Sequence, residues 1–185
     1  MPRTDGDQGH SCLAPWGTIR RARSSEIDAI QEIEEAAALL FAPYGVSDLY
    51  RMHGVSVTEL RRACLSQRLF VAVDSNDWPL GFALGARIGA WAQLAEIDVR
   101  PEHTQKGLGQ KLVRRILVWA RDNGFERIVL STMRSPPWNA PFYRKLGFVE
   151  IGADELVGPL RRLRTQEARL GFPMAERVLM WKRLR

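Results

Sequence analysis

From Ile97 to Leu112 the chain reads Ile-Asp-Val-Arg-Pro-Glu-His-Thr-Gln-Lys-Gly-Leu-Gly-Gln-Lys-Leu. An extended segment ends at Val99, a loop follows, and Gly107 and Gly109 open an amphipathic stretch. Glycines there let the backbone approach a ligand closely. The first amides of a helix lack intrahelical partners and lie at the positive end of its dipole. That combination suits phosphate or pyrophosphate, with Lys106 and Lys111 adding charge. The competing reading is a tight strand-to-helix turn without a ligand. Two common nucleotide motifs fail: Leu112 stands where the dinucleotide fingerprint needs its third glycine, and no Gly-Lys-Ser/Thr tripeptide occurs.

A second cluster runs Ser135-Pro-Pro-Trp-Asn-Ala-Pro-Phe-Tyr-Arg-Lys-Leu-Gly-Phe148. It puts Asn139 at a helix start and Tyr143 one turn in, with Gly147 as the stop. Taken singly, Asn139 reads as an N-cap and Tyr143 as packing. Glu96 and Asp98 share a face of the extended segment, because strand side chains alternate with period two. His103 has a suitable titration range for a base but reads as a surface residue of the loop. Glu34 and Glu35 read as a solvated helix face. Tyr44, Tyr50, Trp91 and Trp138 are candidate pocket walls or core.

These residues need elements to hold them. A strand around Thr18–Arg20 precedes a helix capped by Ser24 or Ser25, with Asp28 in reach of a capping-box role. Its stripe is Ile27, Ile30, Ile33, Ala37 and Leu40, and Pro43 and Gly45 end it. A loop containing Tyr44, Tyr50 and His53 leads to a second helix over Thr58–Ser66. Leu69–Val73 and Leu80–Ile88 form a hairpin around Asp74-Ser-Asn-Asp-Trp-Pro79, and Trp91–Val99 follows. Gly109–Asp122 is a strongly amphipathic helix closed by Asn123-Gly124. Strands over Phe125–Thr132, Phe148–Ile151 and Val178–Trp181 alternate with helices over Asn139–Leu146 and Glu155–Leu170. The class is mixed α/β around one sheet.

The chain has 185 residues, 45% of them hydrophobic, which suits one domain over residues 16–185 behind a disordered leader at 1–15. The leader has no apolar core of a secretory signal, and no apolar run reaches the ~20 residues of a membrane span. Two cysteines, Cys12 and Cys64, make neither a disulfide framework nor a four-ligand zinc site, so no metal is expected. A soluble cytoplasmic protein is the default. The net charge of +6 is modest. Between residues 153 and 185 eight basic residues stand against four acidic ones, including the Arg161–Arg164 cluster. A solvated helix face accounts for that better than a nucleic-acid groove, for which no helix-turn-helix, zinc or RNP pattern exists.

Together, in order and ~30 residues apart, the two clusters resemble the GNAT superfamily of acetyl-CoA-dependent N-acetyltransferases. The resemblance runs from about Thr18 to Ile151. It implies a mixed, largely antiparallel sheet splayed between its fourth and fifth strands, with acetyl-CoA in the opening. Cofactor contacts would come from Ile97, Asp98 and Val99 for the pantetheine arm. Thr104, Gln105, Lys106, Gly107, Leu108, Gly109 and Gln110 would hold the pyrophosphate, and Asn139, Phe142 and Tyr143 form the second motif. Thr104 stands where the family often has Gln or Arg, and Pro136 where it often has Asn, so backbone amides carry the anion more than any side chain. The implied reaction is direct attack of an amine on the thioester. An alkylamine of pKa near ~10.4 must first lose a proton, and a thiolate of ~8.5 must gain one. Tyr143 is the expected acid, Glu96 the expected base, and an amide near Val99 the oxyanion donor. The acceptor is a small-molecule amine or a protein amino group. The alternatives are a CoA-binding domain without catalysis and, third, a nucleic-acid-binding module. The final strand and basic helix could pair across a homodimer.

Overall fold

The computed structural model describes residues 18–156 and 158–184. The expected leader and Cys12 lie outside the described residues. The first strand, β1 (Ile19–Arg21), leads through a 3-10 turn at Ser24–Glu26 into α1 (Ile27–Ala38). The helix entry differs from the expected cap. The Arg23 N–H donates to the Glu26 carboxylate at 2.7 Å, because the intervening turn brings Glu26 rather than Asp28 back to the chain. Glu26 also holds Arg20 at 2.5 Å.

A 3-10 segment, Leu39–Tyr44, ends at Gly45 with φ +70°. The region expected to be a loop then forms α2 (Ser47–Met52), followed by α3 (Val57–Leu65), which Ser56 caps by accepting from the Glu59 N–H. A six-residue helix spans too few turns to show a periodic stripe. Tyr50 anchors it instead, stacked on Phe41 at 4.2 Å between centroids and edge-on to Phe172 at 5.3 Å.

Strands β2 (Leu69–Val73), β3 (Pro79–Ile88) and β4 (Trp91–Val99) follow as an antiparallel meander. Then come α4 (Leu108–Asp122), β5 (Arg127–Met133), α5 (Ala140–Lys145), β6 (Val149–Glu150), α6 (Gly158–Arg169) and β7 (Arg177–Arg183). All seven strands join one sheet of order β1-β2-β3-β4-β5-β7-β6. Every pairing is antiparallel except β4 with β5. Those two strands pair only through Ala92 with Ile128 and Gln93 with Val129, and beyond that they separate, as the resemblance implies. The final strand is interior, paired with β5 along seven residues and with β6 at two.

Both faces of the sheet are covered. Phe70 and Ala72 of β2 meet the apolar side of α4, built from Leu112, Val113, Ile116 and Ala120. Leu69, Val71 and Val73 meet Ile27, Ile30 and Ile33 of α1 and Leu60 of α3. This two-sided burial explains why Leu69–Val73 is apolar without alternation. Transfer of such side chains from water, at ~25 cal/mol per Å² of apolar surface, is the main force holding the layers together.

Candidate active site

A bulge in β4 sets the site. Leu84 of β3 pairs with Glu96 but Gly85 pairs with Leu94, so Ala95 is an extra residue. Without it, Glu96 and Asp98 would continue the α4-facing row of Ala92 and Leu94. With it, they stand beside Leu84 and Phe82, on the face that α1 covers. Bulges re-aim side chains in this way and also increase local twist, here just where β4 leaves β5.

The separation opens into one cavity of about 750 Å³. One end is the loop before α4, with Thr104, Gln105, Gly107, Gly109 and Gln110 in its wall. Gln105 (φ +60°) and Gly107 (φ +82°) take left-handed backbone conformations, and Gly107 is the residue from which α4 starts. The middle is lined by Ile97, Asp98 and Val99 on one side and Asn139, Phe142 and Tyr143 on the other. The far end holds Glu34, Glu96, Tyr50, Phe172, Glu167 and Arg177.

Of the residues singled out in the sequence, Lys106 and Leu108 do not line this space. Lys106 turns its ammonium back onto the Glu102 carbonyl at 2.9 Å, and the Leu108 side chain is core. The Thr104 hydroxyl donates to the Pro101 carbonyl at 2.8 Å. Charge at the loop therefore comes from amides at the head of a 15-residue helix, where the dipole is positive. Asn139 occupies the N-cap position of α5, its carbonyl accepting the Tyr143 N–H at 3.0 Å, but its buried side chain makes no capping bond. The helix it starts places Tyr143 against Phe142 and Phe148, at 5.1 and 5.8 Å between centroids. Burial and the neighbouring Glu96 and Asp98 carboxylates push the Tyr143 phenol well above its ordinary value, keeping it protonated.

Two features were not legible as site residues. Glu34 is not a solvated face: it is half-buried against the cavity and accepts the Val55 N–H at 2.8 Å. Burial first, and repulsion from Glu96 second, raise it to about 7. Glu35, by contrast, is exposed and pairs with Arg51 at 2.9 Å. Burial likewise raises Glu96, and burial with the Glu96 and Glu34 charges raises Asp98.

The second feature is Arg177, which the sequence places in a basic terminal segment but the structure buries. Its guanidinium pairs with Glu167, donates to the Tyr50 hydroxyl at 2.8 Å and to Ser131 Oγ at 3.1 Å, and lies over the Phe172 ring at 4.9 Å. Arg164 of the same segment holds the Arg177 carbonyl at 2.5 Å, while Arg161 and Arg162 are exposed. Of the expected aromatic walls, Tyr50 and Trp138 line the cavity. Tyr44 supports Trp138 edge-on at 5.8 Å, and Trp91 packs against Trp181 elsewhere. Among the described residues, no helix is long and apolar enough to cross a membrane.

A loop at the head of α4 thus opens into a cleft between two diverging strands. Residues 30–148 match the sequence profile of the Acetyltransferase (GNAT) family, and the chain belongs to that family. It is 35% identical over 92 residues to streptothricin acetyltransferase of Streptomyces lavendulae, covering 47% of each chain. It is 28% identical over 136 residues to an amino-acid acetyltransferase of Mycobacterium tuberculosis, covering 72% of this chain and 68% of that one. The chain thus spans about half the length of the streptothricin enzyme. In fold it resembles the PaiA N-acetyltransferase of Thermoplasma acidophilum, solved with coenzyme A. The TM-score is 0.63 at 17% identity, with 90% of this chain and 98% of that one covered.

Proposed function

We propose that this chain is an acetyl-CoA-dependent N-acetyltransferase whose acceptor is a primary amine, on a small molecule or a protein. The observation that carries the reading is continuity: one cavity joins the head of α4 to Tyr143 and to the carboxylates of β4. The loop fits a pyrophosphate. A Cβ at Gly107 would have nothing within 4 Å and one at Gly109 would come no closer than 3.7 Å to Phe142, so the approach is open. The residues in contact would be Ile97, Asp98 and Val99 for an extended amide-bearing arm, the amides from Gln105 to Gln110 for the phosphates, and Asn139, Phe142 and Tyr143 opposite. Acetyl-CoA would supply an activated thioester.

The remaining chemistry falls to side chains. The acceptor arrives as an ammonium, and Glu96, whose proton affinity burial raises, takes its proton with water as relay. The N–C bond forms as the thioester C–S bond breaks. The amine gives up two protons in all. One is released to solvent and one balances the thiol, delivered through the Tyr143 hydroxyl. Stabilising charge on the acyl oxygen falls to a backbone N–H near Val99. A cytoplasmic setting belongs to the same reading, where thiols such as CoA and Cys64 stay reduced.

Thermal unfolding with CoA and acetyl-CoA tests the cofactor half, since a ligand of the native state must raise the midpoint. Thiol release against an amine panel tests the other half. A raised midpoint without thiol release from any amine would leave a CoA-binding domain without catalysis.

A further inference from the structure

The acceptor end of the cavity has an unusual charge arrangement. Glu34 from α1 and Glu96 from β4 line it, Asp98 lines the adjoining middle of the cavity, and none of the three has a salt-bridge partner among the described residues. The cation at that end, Arg177, is already neutralised by Glu167. Glu167 itself is only 6% exposed, and its Oε2 is buried without a hydrogen-bond partner in the same wall. Once these carboxyls are ionised, negative charge is therefore in excess where the acceptor must bind.

An independent feature points the same way. Phe41 and Trp138 line this end with their rings 6.0 Å apart and edge to face, beside the Phe41–Tyr50 stack. Ring faces attract ammonium groups and pack against methylene chains.

We infer that the acceptor is a short flexible amine carrying at least two ammonium groups, one of which is acetylated while the other is held by Glu34 and the aromatic rings. This rests on the acetyltransferase reading above. A monocation would leave two of the three carboxylates lining one cavity without a counter-charge, and like charges so placed repel. A second ammonium relieves that repulsion. Burial raises the proton affinity of all three, and like-charge repulsion adds to it at Glu34 and Asp98. An amino acid bearing its own carboxylate would add to the excess, since Arg177 is already paired with Glu167 and only its buried Nε lacks a partner.

Calorimetric titration of the full chain loaded with CoA tests this without turnover. The probes are diaminobutane, butylamine and L-glutamate, at low and at high salt and above neutral pH. CoA itself is titrated first, and failure at that step sinks the acetyltransferase reading and this inference with it. With CoA bound, diaminobutane should bind roughly ten-fold or more tighter than butylamine, an advantage that salt erodes. Glu34→Gln should erase most of that advantage. Asp98→Asn serves as a second variant should Glu34→Gln not fold. Equal affinity of the two amines, no binding of diaminobutane, or tighter binding of glutamate overturns the inference while leaving CoA binding intact.

Discussion

Arg177 of β7 and Glu167 of α6 form an ion pair in which each side chain is 8% exposed. The pair ties the helix inserted between β6 and β7 to the floor of the cavity, with Tyr50 and Ser131 completing the Arg177 contacts. Removing one partner of a buried pair strands the other charge, at a cost of about 3–5 kcal/mol. Glu167→Ala should therefore lower the urea midpoint markedly, whereas Arg161→Ala, on an exposed turn of the same helix, should change it little. Equal effects of the two would show that the pair is not a structural tie.

Glu34 holds a proton to about pH 7 in the folded chain, against an ordinary value of 4.5. Between those values the folded state binds more protons than the unfolded one, so stability falls as pH rises through the window. Glu34→Gln should flatten that fall without abolishing it, because Glu96 and Asp98 are raised in the same direction. The variant should also shift the rising limb of the activity profile to lower pH, since one repelling charge beside Glu96 is gone. Chemical denaturation at several pH values and a pH–rate profile check both statements.

The Tyr143 phenol stays protonated throughout the working range, which suits a donor to a departing thiolate. Tyr143→Phe keeps the ring contacts with Phe142 and Phe148 and removes only the hydroxyl. Turnover should fall by about 10²-fold or more, the size of general acid catalysis, with CoA affinity nearly unchanged. An unaltered kcat removes Tyr143 from the chemistry.

These residues show which parts of the molecule could be read from the chain. The strand Trp91–Val99 and the helix after Gly107 announce themselves through local patterns of alternation, helical spacing and turn chemistry. So do the two clusters proposed to hold the cofactor, each of which is a short continuous stretch of chain. Glu34 and Arg177 do not, because what brings them into the cavity wall is a neighbour far away in sequence. Glu34 meets the β4 carboxylates only after α1 packs on the sheet, and Arg177 meets Tyr50 across 127 residues. On a sequence, both look like ordinary surface charge. The bulge at Ala95 belongs with them: period two holds for Glu96 and Asp98, but which face they occupy depends on one extra residue.

Gly81 of β3 offers the sharpest test that the cleft geometry itself matters. It pairs with Val99, the last residue of β4, at the point from which the α4 loop departs. A Cβ there would sit 2.7 Å from the Asp98 carbonyl oxygen and 3.2 Å from the Val99 Cα, both backbone atoms that can yield only by moving the strand. Overpacking of this kind costs about 1–3 kcal/mol. Movement of β4 would carry Asp98 and Val99 with it, so Gly81→Ala should weaken CoA binding beyond its effect on stability. Gly107→Ala makes the contrast: its Cβ meets nothing within 4 Å, but its φ of +82° is strained for any side chain. That variant should lower CoA affinity with a stability loss of only about 1–2 kcal/mol. If Gly81→Ala binds CoA normally at a temperature where it is fully folded, the register of β3 against β4 does not position the cofactor, and the strand opening loses its assigned role.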